Sequence, residues 1–198
     1  MYAFFKRLLD IAVAAPAIVV LSPVLVTIAL LVKFGSPGPV IYRGERVGLK
    51  GEHFHIYKFR TMVADAEKGS ATTSNNDPRI TPVGRYLRAY KLDELPQLFN
   101  VLFGSMSLVG PRPEIPRFVA KYTEEQRHIL DAKPGVTDLA SIHFRKMSDI
   151  IDDSNPETSY LENVWETKNA LRLEYVRSRS FLLDLRIMWR TLVAVVIR

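Results

Sequence analysis

Two adjacent carboxylates, Asp93 and Glu94, lie in the stretch "KLDELPQL" within a basic part of the chain. Between Arg79 and Arg117 there are six basic residues and three acidic ones, and two of those three acids are this pair. A carboxylate among phosphate-binding cations can act as a nucleophile toward phosphorus and form an acyl phosphate. A helix start explains the pair equally simply, because Pro96 suits a first turn and acids there contribute about 0.3–1 kcal/mol each. Spacing alone favours the helix start.

Three cations near the carboxylates could bind an anionic substrate. Arg88 and Lys91 come just before the pair, and Arg112 stands between two prolines in "PRP", Pro111–Pro113. A helix start also attracts phosphate through its free backbone N–H groups. An arginine between rigid neighbours suits bidentate contact with two phosphate oxygens. The leaving group's charge would need a divalent cation or an arginine.

Other kinds of chemistry find little support in the sequence. The chain has no cysteine, which excludes disulfides and thiolate catalysis. It also lacks a P-loop, a G-x-G-x-x-G dinucleotide motif and a G-x-S-x-G nucleophile elbow. His53 and His55 would share one face of a strand, but two nitrogens alone make a weak metal site.

The overall composition is that of a folded, basic protein. The chain has 198 residues, 47% of them hydrophobic, with a formal net charge of +6 and a pI near 9.6. Such a length fits one domain, or one domain with an appendage. The positive balance points to an anionic partner: a phosphate-bearing substrate, an anionic membrane surface or nucleic acid.

A long apolar segment near the N-terminus predicts a membrane helix. Leu8–Val32 contains one charge, Asp10, and exceeds the roughly 20 residues that span a bilayer. Pro23 predicts a kink, and the Ser22 hydroxyl could bond a carbonyl that the proline frees. Basic residues flank both ends, so neither end prefers to cross the membrane. A re-entrant helix and an ordinary kinked transmembrane helix both fit these facts.

The rest of the chain predicts an α/β head that rests on one leaflet. Strands are expected at Val40–Arg43 and His53–Arg60, with a glycine-containing turn region between them, and a polar loop is expected at Lys68–Pro78. Thr123 and Gln126 have the spacing of a capping box. The C-terminal segment from Phe181 to Arg198 suits either an interfacial amphipathic helix or a buried core helix.

Three long stretches carry a family resemblance. "YKFRTM" (Tyr57–Met62), Asp77–Glu114 and "KPGVT" (Lys133–Thr137) resemble the bacterial sugar transferase family, specifically its small monotopic phosphoglycosyl transferases. The match runs with few gaps from the N-terminal hydrophobic segment to about Thr137 and returns at Ser180–Ile187.

The resemblance implies an activity, partners and a location. Members transfer a sugar phosphate from a UDP-sugar to polyprenol (undecaprenyl) phosphate with Mg2+, and release a nucleoside monophosphate. It implies an α/β, mostly helical, membrane-associated domain, with residues 1–35 as a re-entrant helix and residues 36–198 as a catalytic domain that includes a C-terminal interfacial helix. We expect the catalytic domain on the cytoplasmic face of a bacterial inner membrane and no nucleic acid partner. The oligomeric state is left open, and an oligomer is compatible with the resemblance.

The resemblance also assigns roles to residues. It makes Asp93 the nucleophile of a ping-pong reaction, and Glu94 its partner as general base or magnesium ligand, with both carboxylates near the metal. We expect the basic surroundings to favour the ionised form of Asp93. The family's helix break matches Ser22 and Pro23. Its phosphate-handling positions match Lys58, Arg60, Arg88 and Arg112.

The chain departs from the family's wording at several positions. Asp138 stands where the family has glycine, Ser141 where it has glutamine, and Arg172 where it often has aspartate. Any metal or sugar role of that aspartate is therefore not carried over. The divergent segment Ile142–Asn169 is expected to shape the sugar pocket, or else to be a surface insertion.

Overall fold

The computed structural model describes residues 1–63, 77–144 and 155–196. Most of the predicted polar loop at Lys68–Pro78, and Arg198, lie outside these residues. The described part is mostly helical, as expected. Its strands are β1 (Ile41–Val47), β2 (His53–Phe59), β3 (Ser107–Val109) and β4 (Gly135–Thr137). Its helices are α1 (Tyr2–Gly35), α2 (Pro82–Ala89), α3 (Gln97–Phe103), α4 (Pro116–Val119), α5 (Glu124–Arg127), α6 (Leu139–His143), α7 (Pro156–Asn163), α8 (Trp165–Ser178) and α9 (Phe181–Val196).

Helix α1 is long and apolar enough to cross a membrane by length and composition, and most of its central surface is exposed. Pro23 lies inside the helix and lacks the N–H that would bond the carbonyl of Val19, four residues earlier. The Ser22 hydroxyl donates to that carbonyl at 2.7 Å. The predicted hydroxyl bond is therefore confirmed, and the Thr27 hydroxyl similarly bonds the Pro23 carbonyl at 2.8 Å.

The first third of α1 is bound to the head. The Arg7 guanidinium donates to the carbonyls of Val101 at 2.6 Å and Leu102 at 2.7 Å, at the end of α3. Asp10 is buried, and its Oδ1 accepts from the Ser107 hydroxyl and the Leu108 backbone N–H, both at 2.9 Å. The one acidic residue of the apolar segment thus serves as an anchor onto β3.

The far end of α1 is bound to the same head. The last carbonyls of a helix have no partner within it. Arg60 supplies partners, because its guanidinium donates to Val32 at 3.0 Å, to Ser36 at 2.7 Å and to Pro37. The Val32 side chain packs in a buried cluster with Phe59. Both ends of α1 therefore contact one domain.

The hairpin of β1 and β2 is antiparallel, with Ile41 opposite Phe59 and Val47 opposite His53. Both predicted strands are confirmed, but β1 extends further than expected and includes Gly44, which the sequence assigned to the turn region. Helix α3 is held to the hairpin by Asn100. Its side-chain amide accepts from the Tyr57 N–H at 2.9 Å and donates to the His55 carbonyl at 2.8 Å.

Strands β3 and β4 form a short parallel pair that brings two distant loops together. Ser107 lies opposite Gly135, and Val109 lies opposite Thr137. Gly110 and Gly135 approach closely at this point: an added Cβ on Gly110 would overlap the Lys133 carbonyl, and one on Gly135 would overlap the Gly110 backbone. The "PRP" loop after β3 therefore lies beside the "KPGVT" segment.

Helix α9 has a buried face and an exposed apolar face. Asp184 and Ile187 are buried, and Asp184 accepts from Lys6 at 2.7 Å and from the Tyr175 hydroxyl at 2.7 Å. The exposed large apolar side chains recur at three- and four-residue spacing. They are Leu182, Leu185, Trp189 and Leu192, and Phe181 at the start of the helix is exposed as well. A wholly buried core helix is therefore excluded.

Candidate active site

The two adjacent carboxylates occupy a short turn of their own. Helix α2 ends at Ala89, and Lys91 adopts the left-handed conformation at φ 57°, which is uncommon for a residue other than glycine. A single 3-10 turn, Leu92–Glu94, follows and carries both acids. Pro96 is then the N-cap of α3. A helix does start at Pro96, as predicted, but the two acids lie on the turn just before it.

Glu94 brings three separate segments together. Its Oε1 accepts from Lys58 Nζ on β2 at 3.0 Å and from the guanidinium of Arg112 in the "PRP" loop. Burial alone would raise the pKa of Glu94, but the Arg112 and Lys58 charges outweigh it and hold the pKa well below its ordinary value. We call Glu94, Lys58 and Arg112, together with the adjacent Asp93, the Glu94 cluster.

Asp93 differs from its neighbour in having a free oxygen. The residue is 7% exposed, and within the described chain its buried Oδ1 has no hydrogen-bond partner. Burial raises the pKa of Asp93, the Lys58 charge lowers it, and the Glu94 charge raises it again. The basic surroundings do favour the ionised form of Asp93, because the Lys58, Arg88 and Lys91 charges lower its pKa, but burial and the Glu94 charge outweigh them and the pKa is raised. Buried polar groups without partners are uncommon, and a water, an ion or a ligand can supply the missing partner.

The remaining phosphate-handling predictions divide between two places. Arg88 on α2 is electrostatically coupled to Asp93, and its Nε donates to the Thr61 hydroxyl at 2.9 Å. Burial lowers the pKa of both Arg88 and Lys58, and nearby carboxylates oppose that effect. Arg60 is not brought to this cluster, because its terminal nitrogens bond the carbonyls at the end of α1.

A second buried cluster lies behind the "PRP" loop, and the sequence did not predict it. Glu114 Oε1 accepts from Arg172 at 3.0 Å, Lys168 at 3.1 Å and the Tyr160 hydroxyl at 2.8 Å. Burial raises the pKa of Glu114, but Lys168 and Arg172 outweigh it and lower the pKa to about 2. We call Glu114, Lys168, Arg172 and Tyr160 the Glu114 cluster. The only signal in the sequence was the unusual Arg172.

A cavity of about 130 Å³ lies between the two clusters. Its lining includes four cationic side chains and one acidic one, so it suits an anionic ligand. The lining residues are Arg46, Ile56, Lys58, Arg112, Pro113, Glu114, Ile115, Phe118 and Lys168. Residues 145–154 of the divergent segment Ile142–Asn169 lie outside the described residues, but Lys168 near its end reaches this cavity.

The described residues fit a magnesium ion only in part. Residues 1–63, 77–144 and 155–196 contain no group of three or more His, Cys, Asp or Glu side chains that could hold a metal. Magnesium usually binds through one or two carboxylates, substrate phosphates and waters, so such a group is not required. The free Oδ1 of Asp93 suits that role. Glu94 Oε1 is already shared by two cations.

Gln97, which the sequence interpretation overlooked, adds another polar group without a partner. It is fully buried four residues after Asp93, and neither its Oε1 nor its Nε2 bonds any part of the chain that the structure describes. Asp93 lies on the short turn before α3, and Gln97 is the first residue of α3. An unpartnered carboxylate oxygen and an unpartnered amide therefore lie close together in sequence at this junction.

Comparisons with known proteins agree with the motifs. A family model described as "Bacterial sugar transferase" matches residues 1–198. The chain is 40% identical over 194 residues to UDP-glucose:undecaprenyl-phosphate glucose-1-phosphate transferase of Escherichia coli (strain K12), covering 94% of this chain and 39% of the relative.

Two other relatives are named for other sugars. UDP-N-acetylgalactosamine-undecaprenyl-phosphate N-acetylgalactosaminephosphotransferase of Aeromonas hydrophila is 38% identical over 96% of this chain and 43% of its own length. Undecaprenyl-phosphate galactose phosphotransferase of Salmonella typhimurium is 38% identical over 84% of this chain and 37% of its own length. The chain therefore spans about two fifths of these relatives, and overall identity does not separate the three sugars.

Proposed function

This chain belongs to the bacterial sugar transferase family, and on that basis we propose that it transfers a sugar 1-phosphate from a UDP-sugar to undecaprenyl phosphate or a similar polyprenol phosphate. The products are a polyprenol diphosphate sugar and UMP. One observation carries the proposal: Asp93 keeps a free buried oxygen beside a glutamate that is ion-paired with Lys58 and Arg112. This is a nucleophile next to cations suited to a diphosphate.

The first half of the reaction puts the sugar phosphate on the protein. A carboxylate oxygen of Asp93 attacks the phosphorus that bears the sugar. The bond from that phosphorus to the bridging oxygen breaks, and UMP leaves with that oxygen and its electron pair. We assign Arg88, Lys58 and Arg112 to balancing charge on the phosphates.

The second half returns Asp93 to its starting state. An oxygen of the polyprenol phosphate attacks the same phosphorus, and the bond to the Asp93 oxygen breaks. We assign Glu94 to holding Lys58 and Arg112 in position. Its lowered pKa makes it a weak proton acceptor, which disfavours the alternative role of general base.

We propose magnesium as the cofactor, held by Asp93 together with substrate phosphate oxygens. When bound, it would neutralise negative charge on the diphosphate. Asp93 is preferred over Glu94 for this contact because Glu94 Oε1 already accepts from two cations.

The attachment of α1 supports a re-entrant membrane helix with both ends on one side of the membrane, and we propose that this side is the cytoplasmic face of the bacterial inner membrane. Near one end of α1, Arg7 of the helix bonds the head, and at the other end Arg60 of the head bonds the helix. A head that rests on one leaflet cannot hold both ends of a helix that crosses to the opposite side. The exposed apolar face of α9 is suited to lie in the same leaflet.

The topology can be measured in this cysteine-free chain. Single cysteines replacing the exposed Phe5 and Phe34, near the two ends of α1, should both react with an impermeant thiol reagent from the same side. Labelling of the two positions from opposite sides would exclude the re-entrant helix. Replacing Ser22 and Pro23 with leucine should increase the fraction that spans.

The activity is tested with a panel of donors. Purified protein in detergent should release UMP from UDP-glucose, UDP-galactose or UDP-N-acetylgalactosamine when undecaprenyl phosphate and magnesium are present. Without acceptor, one equivalent of UMP should be released and the sugar phosphate should remain on the protein. If no donor yields UMP with acceptor, the chain is better described as an anion-binding membrane protein. Release only in the presence of acceptor would contradict the covalent step.

A further inference from the structure

Arg172 is a fully buried arginine that lies between two carboxylates from different parts of the chain. Its guanidinium bonds Glu114 at 3.0 Å and lies 3.7 Å from Asp138 Oδ2. It also donates to the Asn169 side chain at 3.2 Å. Asp138 and Arg172 are both 0% exposed. A buried charge requires a partner, so each of these groups depends on the others.

The two carboxylates fix the loop that carries Arg112. Asp138 Oδ2 accepts from the Arg112 backbone N–H at 3.0 Å, while its Oδ1 accepts from the Ser141 N–H at 2.6 Å and caps α6. Two residues later, the Glu114 carbonyl accepts from the Val47 N–H at 3.0 Å, which ties the loop to β1. The Arg172 guanidinium therefore contacts both Asp138, which holds the Arg112 backbone, and Glu114, which follows Arg112 by two residues.

Asp138 and Arg172 are also two of the positions where this chain departs from its family's wording. The family has glycine at the first position and often aspartate at the second. The structure shows that the two departures are neighbours, although they are 34 residues apart in sequence. Either change alone would bury a charge with a poorer set of partners. Together they keep a carboxylate and a cation in one buried site.

We propose that Asp138 and Arg172 act as a coupled pair of positioning residues that aims Arg112 at the donor's diphosphate. Asp138 holds the Arg112 backbone, and Arg172 holds both Asp138 and Glu114. The proposal rests on the proposed function, because it assumes that Arg112 binds donor phosphate. Neither residue touches the substrate. The effect on turnover passes entirely through the placement of the "PRP" loop.

A double-mutant cycle tests the coupling. The variants are Asp138→Gly, Arg172→Asp and the two combined, which restores the family's wording. Each single variant should raise the KM for the UDP-sugar about tenfold or more, because coupled buried partners typically interact at that level. The double variant should lose about as much as the worse single variant and far less than the product of the two losses, because Arg172 can no longer act through Asp138 once that carboxylate is gone. Because kcat depends on Asp93, it should change less than KM in Asp138→Gly.

Two further measurements keep the test decisive if Arg172→Asp does not fold. Arg172→Lys keeps the charge and should lose less donor affinity than Arg172→Met, which has no charge. Calorimetric binding of UDP reports on the loop without turnover, and thermal unfolding shows whether each variant is folded. A matched cycle on the exposed pair Arg177 and Glu125, also anchored on α8, should show no change in KM or in UDP affinity.

The outcomes separate this inference from the proposed function. If wild type turns over a UDP-sugar and the Asp138 and Arg172 effects simply add, the coupling is wrong. Equal loss of affinity in folded Arg172→Lys and Arg172→Met would also overturn it. If no donor is turned over but UDP binding shows the coupling, the proposed reaction fails while the positioning pair stands.

Discussion

The Glu94 and Glu114 clusters are built alike: in each, one glutamate oxygen accepts from one lysine and one arginine. They differ in what lies beside them. The Glu94 cluster contains Asp93, which keeps a free buried oxygen, whereas the Glu114 cluster adds the Tyr160 hydroxyl as a third donor to the same oxygen. Ion pairs that perturb pKa values occur in structural networks as well as in active sites. The free oxygen, rather than the ion pair, therefore distinguishes the reactive cluster.

Both clusters include a residue of the "PRP" loop or of the position directly after it. Arg112 belongs to the first cluster and Glu114 to the second, and only Pro113 separates them. The Glu114 cluster holds the loop at Glu114, while Arg112 pairs with Glu94 beside Asp93, and side chains of both clusters line the cavity. Mutations in the Glu94 cluster should mainly lower turnover, with little change in the free energy of unfolding. Mutations in the Glu114 cluster should mainly lower the free energy of unfolding.

The largest effect is expected at Asp93. Asp93→Asn removes the nucleophile and should lower turnover by about 10⁴-fold or more, to background. The fold should persist, because the change removes a buried charge rather than a bonded one. The measurements are UMP release and labelling of the protein by the sugar phosphate. The exposed Glu52→Gln serves as the control. Normal labelling of Asp93→Asn would show that Asp93 is not the nucleophile and has only a structural role near the start of α3.

A smaller loss is expected at Arg112. Arg112→Lys keeps the charge but loses the fork that can pair two phosphate oxygens, so turnover should fall about 10²-fold. Membrane association should persist, because the substitution leaves the exposed apolar side chains of α1 and α9 unchanged. The comparison variant is Arg117→Lys, in an exposed ion pair with Glu157. Near-normal kcat/KM for Arg112→Lys would remove Arg112 from phosphate binding.

At Glu114 the main expected effect is on stability. Glu114→Gln leaves Lys168 and Arg172 without a counter-charge and should cost about 3 kcal/mol of unfolding free energy at pH 7. The folded pKa of about 2 lies below the unfolded value near 4.5. The Glu114 contribution is therefore complete above pH 4.5 and is lost as the pH falls toward 2. Thermal unfolding from pH 7 to pH 3 should show wild type converging on the variant; parallel curves would contradict the ion-pair explanation.

The features that the sequence predicted are those settled by close neighbours in the chain. Ser22 reaches the carbonyl freed by the next residue, and the capping box of Thr123 and Gln126 forms both expected bonds, at 3.1 and 3.2 Å. The acids of the Glu94 cluster were also identified, because Asp93 and Glu94 are adjacent and the motif around them is long. Such patterns depend on a few torsion angles and need no knowledge of topology.

The features that were missed depend on partners far away in sequence. Arg60 was expected at phosphate, yet it bonds Val32, 28 residues earlier. Glu114 meets Arg172 across 58 residues, and only the β3–β4 pairing brings Asp138 to the same place. The sequence also does not show that burial outweighs the cations around Asp93 and raises its pKa. Counting nearby cations cannot show which of two adjacent carboxylates they bind or how deeply each is buried.

The smallest expected effect separates the members of the Glu114 cluster. Burial lowers the pKa of Lys168 to about 8 despite the Glu114 charge, so the fold favours the neutral lysine relative to the unfolded chain. The unfolded chain therefore binds more protons between pH 8 and the unfolded pKa near 10.5, and stability should rise with pH there. This group alone should contribute about 1 kcal/mol per pH unit above pH 8.

Lys168→Met tests this point, because it keeps the side-chain length and removes the charge. At pH 7 we expect it to be as stable as wild type within about 1 kcal/mol, since Arg172 still neutralises Glu114. Between pH 8 and pH 9.5 wild type should gain stability relative to the variant. Above that range the buried tyrosines interfere, because burial raises the pKa of Tyr122 to about 12 and ionising the unfolded tyrosine then weakens the fold. If Lys168→Met loses as much stability at pH 7 as Glu114→Gln, both cations are needed to neutralise Glu114. If its stability at pH 7 instead matches wild type, Arg172 alone neutralises Glu114, and Lys168, which lines the cavity, is available to bind the donor.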